Sequence, residues 1–276
     1  MPKRRELIKK MGRRKFIAIL DTETCMGKGQ KLFDIGLLIG DLHGNIIYQR
    51  QWIIAETFLT EKLFYEFKRE LYTSRLIHGS GYPSYFVTVK QAFDDMKKAL
   101  EQFKIDDVYA YNMAFDGRVI EKRAIEEGLE NPLKNYNLEC LWFWATQTIF
   151  QQKGFKKFAK QHSKLHLTEK GNYKTSAETC YSYIMDIPDF VEEHTALEDC
   201  KIEYEIFLKC HRQRKKRAKG IASNVWLLAQ EEEQIRKLPP QFRTMRIGLE
   251  NQIENALEIA KRYNKDIKIQ VGIEIS

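Results

Sequence analysis

The chain has 276 residues, of which 43% are hydrophobic, enough for one large domain with an appendage. No apolar run is long enough to cross a membrane, so we expect no membrane-spanning segment. The basic N-terminus lacks the apolar region of a secretory signal, and the five cysteines show no paired spacing. We therefore expect a cytoplasmic protein with reduced thiols.

The positive charge is concentrated in two short blocks. The formal net charge is +8, with a net +7 in residues 1–15 and a net +6 in residues 211–219, which leaves −5 for the rest. Blocks of like charge often contact the phosphates of nucleic acids, but they also occur as solvated tails and helix ends. Charge alone therefore leaves nucleic-acid binding as one of two interpretations.

The first informative stretch is a predicted strand followed by two acids. Phe16–Leu20 is an unbroken apolar run, which predicts a strand buried on both faces. Asp21 stands at its exit and Glu23 lies two residues on, so both side chains point the same way in an extended chain. Such a pair repels itself unless a cation lies between, which indicates a divalent metal. The alternative is an ordinary polar loop after a strand.

The next elements are predicted from apolar spacing and turn residues. Phe33–Gly40 and Ile46–Ile54 flank the turn pair Gly44-Asn45, which predicts an antiparallel meander with the first strand. We expect helix in part of 58–71. Apolar residues at helical spacing over 89–103 predict an amphipathic helix whose apolar face belongs to the core.

A third carboxylate stands where another predicted strand ends and a helix begins. Asp107–Tyr111 predicts a short strand, and Asn112 is a good N-cap for the following helix. Asp116 then lies about one turn inside that helix, near its N-terminal end. Beyond it, we predict helix over 137–161 and a polar loop over 164–174.

A histidine and a further acid flank the start of a late helix. Thr195 and Glu198 fit a capping box, which predicts a helix with Thr195 as its N-cap. His194 then precedes the cap and Asp199 is the fourth helical residue, so imidazole and carboxylate lie on the same side. A lone histidine before a helix is usually a surface residue, whereas one placed beside an acid suggests a site.

The C-terminal segment predicts a helix and a strand. A break at Leu238–Pro240 precedes a helix over 243–263, and residues 267–275 alternate as a strand with one apolar face. A lone terminal strand needs a sheet edge, which its own domain, a second copy or a protein partner could supply. Docking on its own domain is the interpretation we favour, and a homo-oligomer or partner through this strand is the alternative.

Three motifs together resemble the DEDDh 3′–5′ exonucleases, the DnaQ-like branch of the ribonuclease H-like superfamily. They are Asp21-x-Glu23, Asn112-x-x-x-Asp116 and His194-x-x-x-x-Asp199, and the resemblance covers about residues 16–210. It implies an α/β, ribonuclease H-like fold with a mixed central sheet flanked by helices. We expect a basic arm over 1–15, an exonuclease domain over 16–212, and a small, mostly helical extension over 213–276 that ends in a strand.

The resemblance also implies an activity and a site. The expected enzyme hydrolyses nucleic acid from a free 3′ end to nucleoside 5′-monophosphates, with single-stranded DNA favoured and RNA as the other substrate. Two ions, Mg²⁺ or Mn²⁺, are implied, and His194 is the implied general base. The implied metal ligands are Asp21, Glu23, Asp116 and Asp199, and the implied substrate-binding residues are Thr24, Cys25, Asn112 and Phe115.

Two alternatives belong to other functional classes. The same fold could serve as a nucleic-acid-binding module with weak catalysis, or as a module that recruits a partner through its C-terminal part. All four acids and the histidine are present in the three motifs, which favours the enzyme. The sequence departs from the family where the first motif continues as Thr24-Cys25-Met26-Gly27 rather than Thr-Thr-Gly.

Overall fold

The computed structural model describes residues 15–27, 29–77 and 81–263, and the backbone of 268–270. The strands of its main sheet are β1 (Phe16–Thr24), β2 (Leu32–Asp41), β3 (Ile46–Ile54), β4 (Ser84–Val87), β5 (Asp107–Ala110) and β6 (Asn137–Cys140). They lie in the order β4-β3-β2-β1-β5-β6. β2 is antiparallel to β1 and β3, whereas the other neighbours are parallel. The predicted meander and mixed sheet are confirmed.

Helices cover both faces of this sheet. The α-helices are α1 (Ala55–Thr60), α2 (Arg69–Leu76), α3 (Val89–Gln102), α4 (Met113–Glu126), α5 (Leu141–Gln147), α6 (Lys153–Gln161), α7 (Ser163–His166), α8 (Ala177–Met185), α9 (Ala196–Arg212), α10 (Glu232–Arg236) and α11 (Pro240–Tyr263). Short 3₁₀ turns occupy Glu66–Lys68 and Val225–Ala229. The predicted α/β class, with a mixed central sheet flanked by helices, is thus confirmed.

β1 is longer than the apolar run predicted. It continues through Asp21 and Glu23 to Thr24, because β2 pairs with it along its whole length. Asp21 lies opposite Gly36 and Glu23 opposite Asp34. The two acids therefore sit within the last residues of a central strand and share one side of it, which gives them a fixed spacing.

α9 lies directly on β2 because two glycines remove the side chains that would intervene. A Cβ at Gly36 would lie 2.3 Å from the carbonyl oxygen of Ala196, and one at Gly40 would lie 2.4 Å from the Tyr204 ring. Leu197, Tyr204 and other residues of α9 join one apolar cluster on this face of the sheet. This close approach brings the start of α9 to the end of β1.

The opposite face of the sheet holds the larger apolar cluster. The predicted amphipathic helix over 89–103 is confirmed as α3, which contributes Phe93 and Met96 among others to this cluster. Thr88 and Gln91 form a capping box at its start. The apolar periodicity was sufficient to predict this helix, because only one of its faces packs against the core.

The helix predicted in part of 58–71 is confirmed, whereas two other local predictions are wrong in part. α1 and α2 cover the two ends of 58–71, and in the irregular segment between them the carbonyls of Phe58 and Glu61 accept from the side chain of Arg69. The stretch 137–161 begins with β6 before its two helices, and 164–174 contains the end of α7 and a bridge between Leu167 and Tyr173.

Residues beyond α9 pack against the main body. β7 (Lys219–Ile221) pairs in parallel with β8 (Lys268–Gln270) of the same chain, and Ala218, Val225 and Leu249 join the larger apolar cluster. The predicted boundary at residue 212 stays a prediction. Of the predicted strand over 267–275, the structure describes only 268–270. Within the described ranges, no helix combines the length and apolar character needed to span a bilayer.

Candidate active site

A cavity of about 460 Å³ opens at the end of β1, beside the first turns of α4, α8 and α9. It contains six carboxylates and one imidazole. The predicted site residues that line it are Asp21, Glu23, Asn112, Phe115, Asp116, His194 and Asp199. Residues far apart in the sequence thus meet where strand ends and helix starts converge, as the motif positions predicted.

Asp116 is fixed to β1 by two hydrogen bonds. Its Oδ1 accepts from the backbone N–H of Thr22 at 3.0 Å and from the Thr22 hydroxyl at 2.7 Å. Asn112 occupies the N-cap position of α4 as predicted, but its side chain makes no capping hydrogen bond. Burial raises the pKa of Asp116 to about 7, although the Thr22 bonds oppose that shift. α4 therefore places the Asp116 carboxylate in the cavity, and its hydrogen bonds to β1 fix its position.

Other acids of the cavity bury carboxylate oxygens that no described residue satisfies. Asp21 Oδ2, Asp199 Oδ1 and Glu203 Oε2 are buried without a hydrogen-bond partner among the residues that the structure describes. Burial raises the pKa of each of these carboxyls, and the negative charge of neighbouring carboxylates raises it further. Burying unpaired like charges is unfavourable. The arrangement therefore fits a bound cation.

The donor set fits hard divalent cations. One oxygen each from Glu23 and Asp199 and one ring nitrogen of His194 lie within 4.8 Å of one another. Burial raises the pKa of Glu23 to about 9, and the charge of Asp199 contributes. A cluster dominated by carboxylate oxygens, with no thiolate, suits Mg²⁺ or Mn²⁺ rather than softer ions.

Glu203 is one of two cavity acids that the sequence motifs missed, the other being Glu192. It lies four residues after Asp199 on α9, and residues at that spacing occupy the same face of a helix. It is 2% exposed, and the charge of Asp116 adds to burial in raising its pKa. The sequence did contain a signal for Glu203, namely its spacing of four residues from Asp199. Comparison with the three motifs does not reveal it, because Glu203 belongs to none of them.

His194 is held beside the acids by its backbone and by an aromatic ring. Its φ of 53° lies in the left-handed region, and its imidazole stacks on Tyr65 with ring centroids 4.6 Å apart. Its Nδ1 lies 3.8 Å from Glu192 Oε2. Burial and the nearby charge of Lys68 lower the pKa of His194 below its usual value. The ring is therefore neutral at pH 7 and able to accept a proton.

The capping box predicted at the start of α9 is wrong. Thr195 is the N-cap, but its hydroxyl accepts from Arg75 Nη1 at 2.7 Å instead of from the helix backbone. Glu198 is bonded by Tyr82 and Lys201. Arg75 and Tyr82, both more than 100 residues away in sequence, thus take up the two side chains that the local pattern assigned to each other.

A carboxylate of β2 caps this helix instead. The backbone N–H of Ala196 donates to Asp34 Oδ2 at 3.0 Å, and Gln51 donates to the same oxygen at 2.7 Å. Asp34 is fully buried, which raises its pKa to about 6. The cap joins α9 to the strand beside β1, so it fixes the position of Asp199 relative to Asp21.

Thr24 and Cys25 lie next to the site but are not among the residues that line the cavity. Cys25 packs in a small apolar cluster with Phe33, Phe58 and Leu63. Its backbone N–H donates to the carbonyl of Lys31 at 2.9 Å, and burial raises the pKa of its thiol to about 11. Contact of these two residues with a terminal nucleotide stays a prediction.

Comparison with known proteins gives structural similarity only. No family model matches the chain, and no curated protein matches it. The nuclease domain of 3'hExo, a DEDDh family member bound to rAMP, is 12% identical, with a TM-score of 0.48 over 75% of this chain and 97% of that one. A full-length 3'-exonuclease is 11% identical, with a TM-score of 0.48 over 82% and 93%.

A third solved structure, Exonuclease I from Methylocaldum szegediense, is 13% identical, with a TM-score of 0.47 over 77% of this chain and 42% of that one. Similarities at these low sequence identities carry no information about the activity of this chain. The chemistry of this chain has to be inferred from its own side chains.

Proposed function

We propose that this chain is a 3′–5′ exonuclease that hydrolyses nucleic acid from a free 3′ end to nucleoside 5′-monophosphates, using Mg²⁺ or Mn²⁺. Single-stranded DNA is the favoured substrate and RNA the other. One observation carries the proposal: six carboxylates and an imidazole meet in one cavity at the end of the central strand. The order and spacing of the three motifs support the reaction class.

Asp21, Glu23, Asp116 and Asp199 would hold the two ions. Burial raises the pKa of the Asp21 carboxyl, and the charges of Asp116, Glu203, Asp199 and Glu23 raise it further, so Asp21 lies close to the other acids. When bound, two divalent ions supply neutralisation of the phosphodiester charge and of the leaving oxygen. The carboxylates must be deprotonated to bind them, so metal binding releases protons.

His194 would act as the general base. Its stacking on Tyr65 orients the imidazole, and its lowered pKa keeps the ring neutral at physiological pH. A neutral imidazole beside the acids can take the proton of the attacking water. Glu192, whose pKa burial raises to about 7, lies next to Nδ1 and can stabilise the imidazolium that forms.

Part of the cavity lining suits a nucleoside. Phe115 and Trp142 provide apolar surface, and Asn112 provides a polar side chain that is not used as a cap. The Trp142 indole N–H donates to Thr175 Oγ1 at 3.0 Å, which fixes its orientation. Stacking on aromatic rings accepts any base, so this part of the lining favours binding without sequence preference.

The test is digestion of DNA and RNA oligomers of one sequence with Mg²⁺, Mn²⁺ or a chelator. We expect metal-dependent release of nucleoside 5′-monophosphates, identified by chromatography. Asp199→Asn should abolish release, whereas Glu198→Gln, a matched change at the adjacent residue outside the cavity lining, should retain it. Binding of the oligomers without any metal-dependent release would contradict the proposal and favour the binding module.

A further inference from the structure

A second cavity, of about 310 Å³, lies at the other end of α9 from the carboxylates. Its walls include Ile17 of β1, Phe207 of α9 and Trp144 of α5. One carboxylate, that of Asp107, lines it. Six cationic side chains line it: Lys15, Arg214, Lys215, Lys216, Arg217 and Lys219.

These cations come from separate elements. Lys15 precedes β1, residues 214–217 follow α9, and Lys219 begins β7. A helix C-terminus attracts cations through its dipole, which would account for residues near the end of α9. It does not account for Lys15 or for Lys219. Two segments far apart in the sequence, Lys15 and residues 214–219, therefore converge here, and the helix dipole does not explain this.

Ion pairs use only part of the positive charge. Lys15 Nζ lies 2.9 Å from Asp107 Oδ2, and Arg217 Nη1 lies 3.1 Å from Glu139 Oε2. Arg214, Lys215 and Lys216 are exposed, and no acidic partner lies within ion-pair distance of them in the described ranges. A surplus of cationic donors without matching acceptors is the usual property of a site for anions.

The side chains that line this cavity suit a phosphate backbone better than a base. The guanidinium of Arg217 lies 3.9 Å above the Trp144 ring, and His211 stacks on Phe207 with the ring planes 7° apart. These aromatic surfaces are already covered by the protein itself. What remains for a ligand are flexible charged groups, which contact phosphates without reading sequence.

Both cavities lie along α9, which sets the distance between them. Twelve residues separate Asp199 from His211, about 18 Å at 1.5 Å per helical residue. Four residues of β1 separate Ile17 from Asp21, about 13 Å at 3.3 Å per residue. At 3.4 Å per phosphate, the rise of a strand in a stacked helical conformation, a distance of 18 Å corresponds to about five phosphates.

We propose that the cavity around Arg214, Lys215 and Lys216 is a second phosphate-binding site, which holds the backbone of a nucleic acid several nucleotides away from the 3′ end in the carboxylate cavity. This inference rests on the proposed function. It makes substrate length a determinant of affinity: a strand that spans both cavities binds more tightly than one that fills the first alone.

The test compares a trinucleotide and a 20-nucleotide single strand. Binding is measured against salt in the full chain carrying Asp199→Asn, which prevents digestion. R214Q/K215Q/K216Q should weaken binding of the 20-mer roughly tenfold and reduce the salt slope by about 2, since each single-strand contact contributes about 0.7. Binding of the trinucleotide should not change.

The matched control is K153Q/K156Q/K157Q on α6, which removes the same charge from lysines outside both cavities described above. It should leave the length dependence intact. Equal weakening by both triple variants would reveal a general charge effect and overturn the inference. Thermal unfolding confirms that both variants fold. Tight binding of AMP that is lost in R214Q/K215Q/K216Q would also overturn it, since it would assign the cavity to mononucleotides.

Failure of the proposed function has a different signature. In the otherwise wild-type chain, KM for the 20-mer should rise in R214Q/K215Q/K216Q while kcat stays unchanged. If the chain digests both lengths and this KM does not rise, the second site is wrong and the exonuclease stands. If the chain digests neither length but the 20-mer still shows the salt-slope loss, the exonuclease is wrong and the phosphate site stands.

Discussion

The two ends of α9 carry opposite charge in opposite settings. At its start, Asp199 and Glu203 are buried with the acids of β1 and α4, and three of the carboxylate oxygens in this cluster have no partner in the described part of the chain. Beyond its end, Arg214, Lys215 and Lys216 are exposed. Buried like charges are tolerated only where protons or a bound cation neutralise them, whereas exposed charges cost little. The acidic side chains at the start of α9 therefore need precise positions, whereas the basic side chains beyond its end can be flexible.

The largest expected effect follows from removing an acid at the buried end. Asp21→Asn or Asp199→Asn should lower turnover by roughly 10³-fold or more, because loss of a metal ligand removes several kcal/mol of charge stabilisation. The same variants should melt at a higher temperature without metal, since each removes an unpaired buried charge. Turnover assays and calorimetry in a chelator test both. Near-normal turnover in either variant would exclude the metal site.

The next effect concerns the histidine. His194→Ala should reduce kcat by about 10²–10⁴-fold, the usual contribution of a general base. Calorimetric titration should find metal affinity reduced much less than in Asp199→Asn. His194 lies close enough to Glu23 and Asp199 to share a metal ion with them. The comparison between the loss of kcat and the loss of metal affinity therefore decides its role. An equal loss of metal binding in both variants would make it a ligand rather than a base.

A smaller effect is expected at Glu203. Glu203→Gln keeps the shape but removes a charge beside Asp116 and Asp21, so it should lower metal affinity or kcat by about 10–100-fold, as outer-shell changes do. Glu205→Gln, two residues along α9 and outside the cavity lining, is the matched control. An equal response in the two variants would remove Glu203 from the site.

The smallest effect is a change of stability with pH. The raised pKa values of Glu23, about 9, and Asp116, about 7, mean that the folded protein without metal holds protons that the unfolded chain has lost above pH about 4.5. Its stability should therefore fall as pH rises from 5 to 9. Thermal unfolding in a chelator measures this, and saturating Mg²⁺ should reduce or reverse the trend. A metal-free protein that becomes more stable over this range would contradict the buried acidic cluster.

The buried end was largely predictable from the sequence. The apolar run before Asp21 and the strand-to-helix junction before Asp116 place acids at element ends, and such ends meet at one edge of a sheet. Asp34 as the cap of α9 was not predictable, since it depends on the register between β1 and β2. Arg75, which takes the Thr195 hydroxyl, lies 120 residues away in sequence. Local patterns contain no information about such competitors.

The basic end was predictable only as charge. The sequence locates six cations in 211–219, but Lys15 joins them only because β1 starts beside the end of α9. The charge in the sequence therefore left contact with phosphates as one of two interpretations, and it did not indicate where such a contact would lie. The fold supplies the position, at the opposite end of the helix from the acids.

The measurement that tests the central claim most directly uses a 5′-labelled single strand with Mg²⁺. With a free 3′-hydroxyl, we expect stepwise shortening from the 3′ end by the wild-type chain and none by Asp199→Asn. A 3′-phosphate should block the reaction, and a circular strand of the same sequence should stay intact. Cutting of the circular strand at a comparable rate, or shortening without added metal, would contradict a metal-dependent 3′–5′ exonuclease.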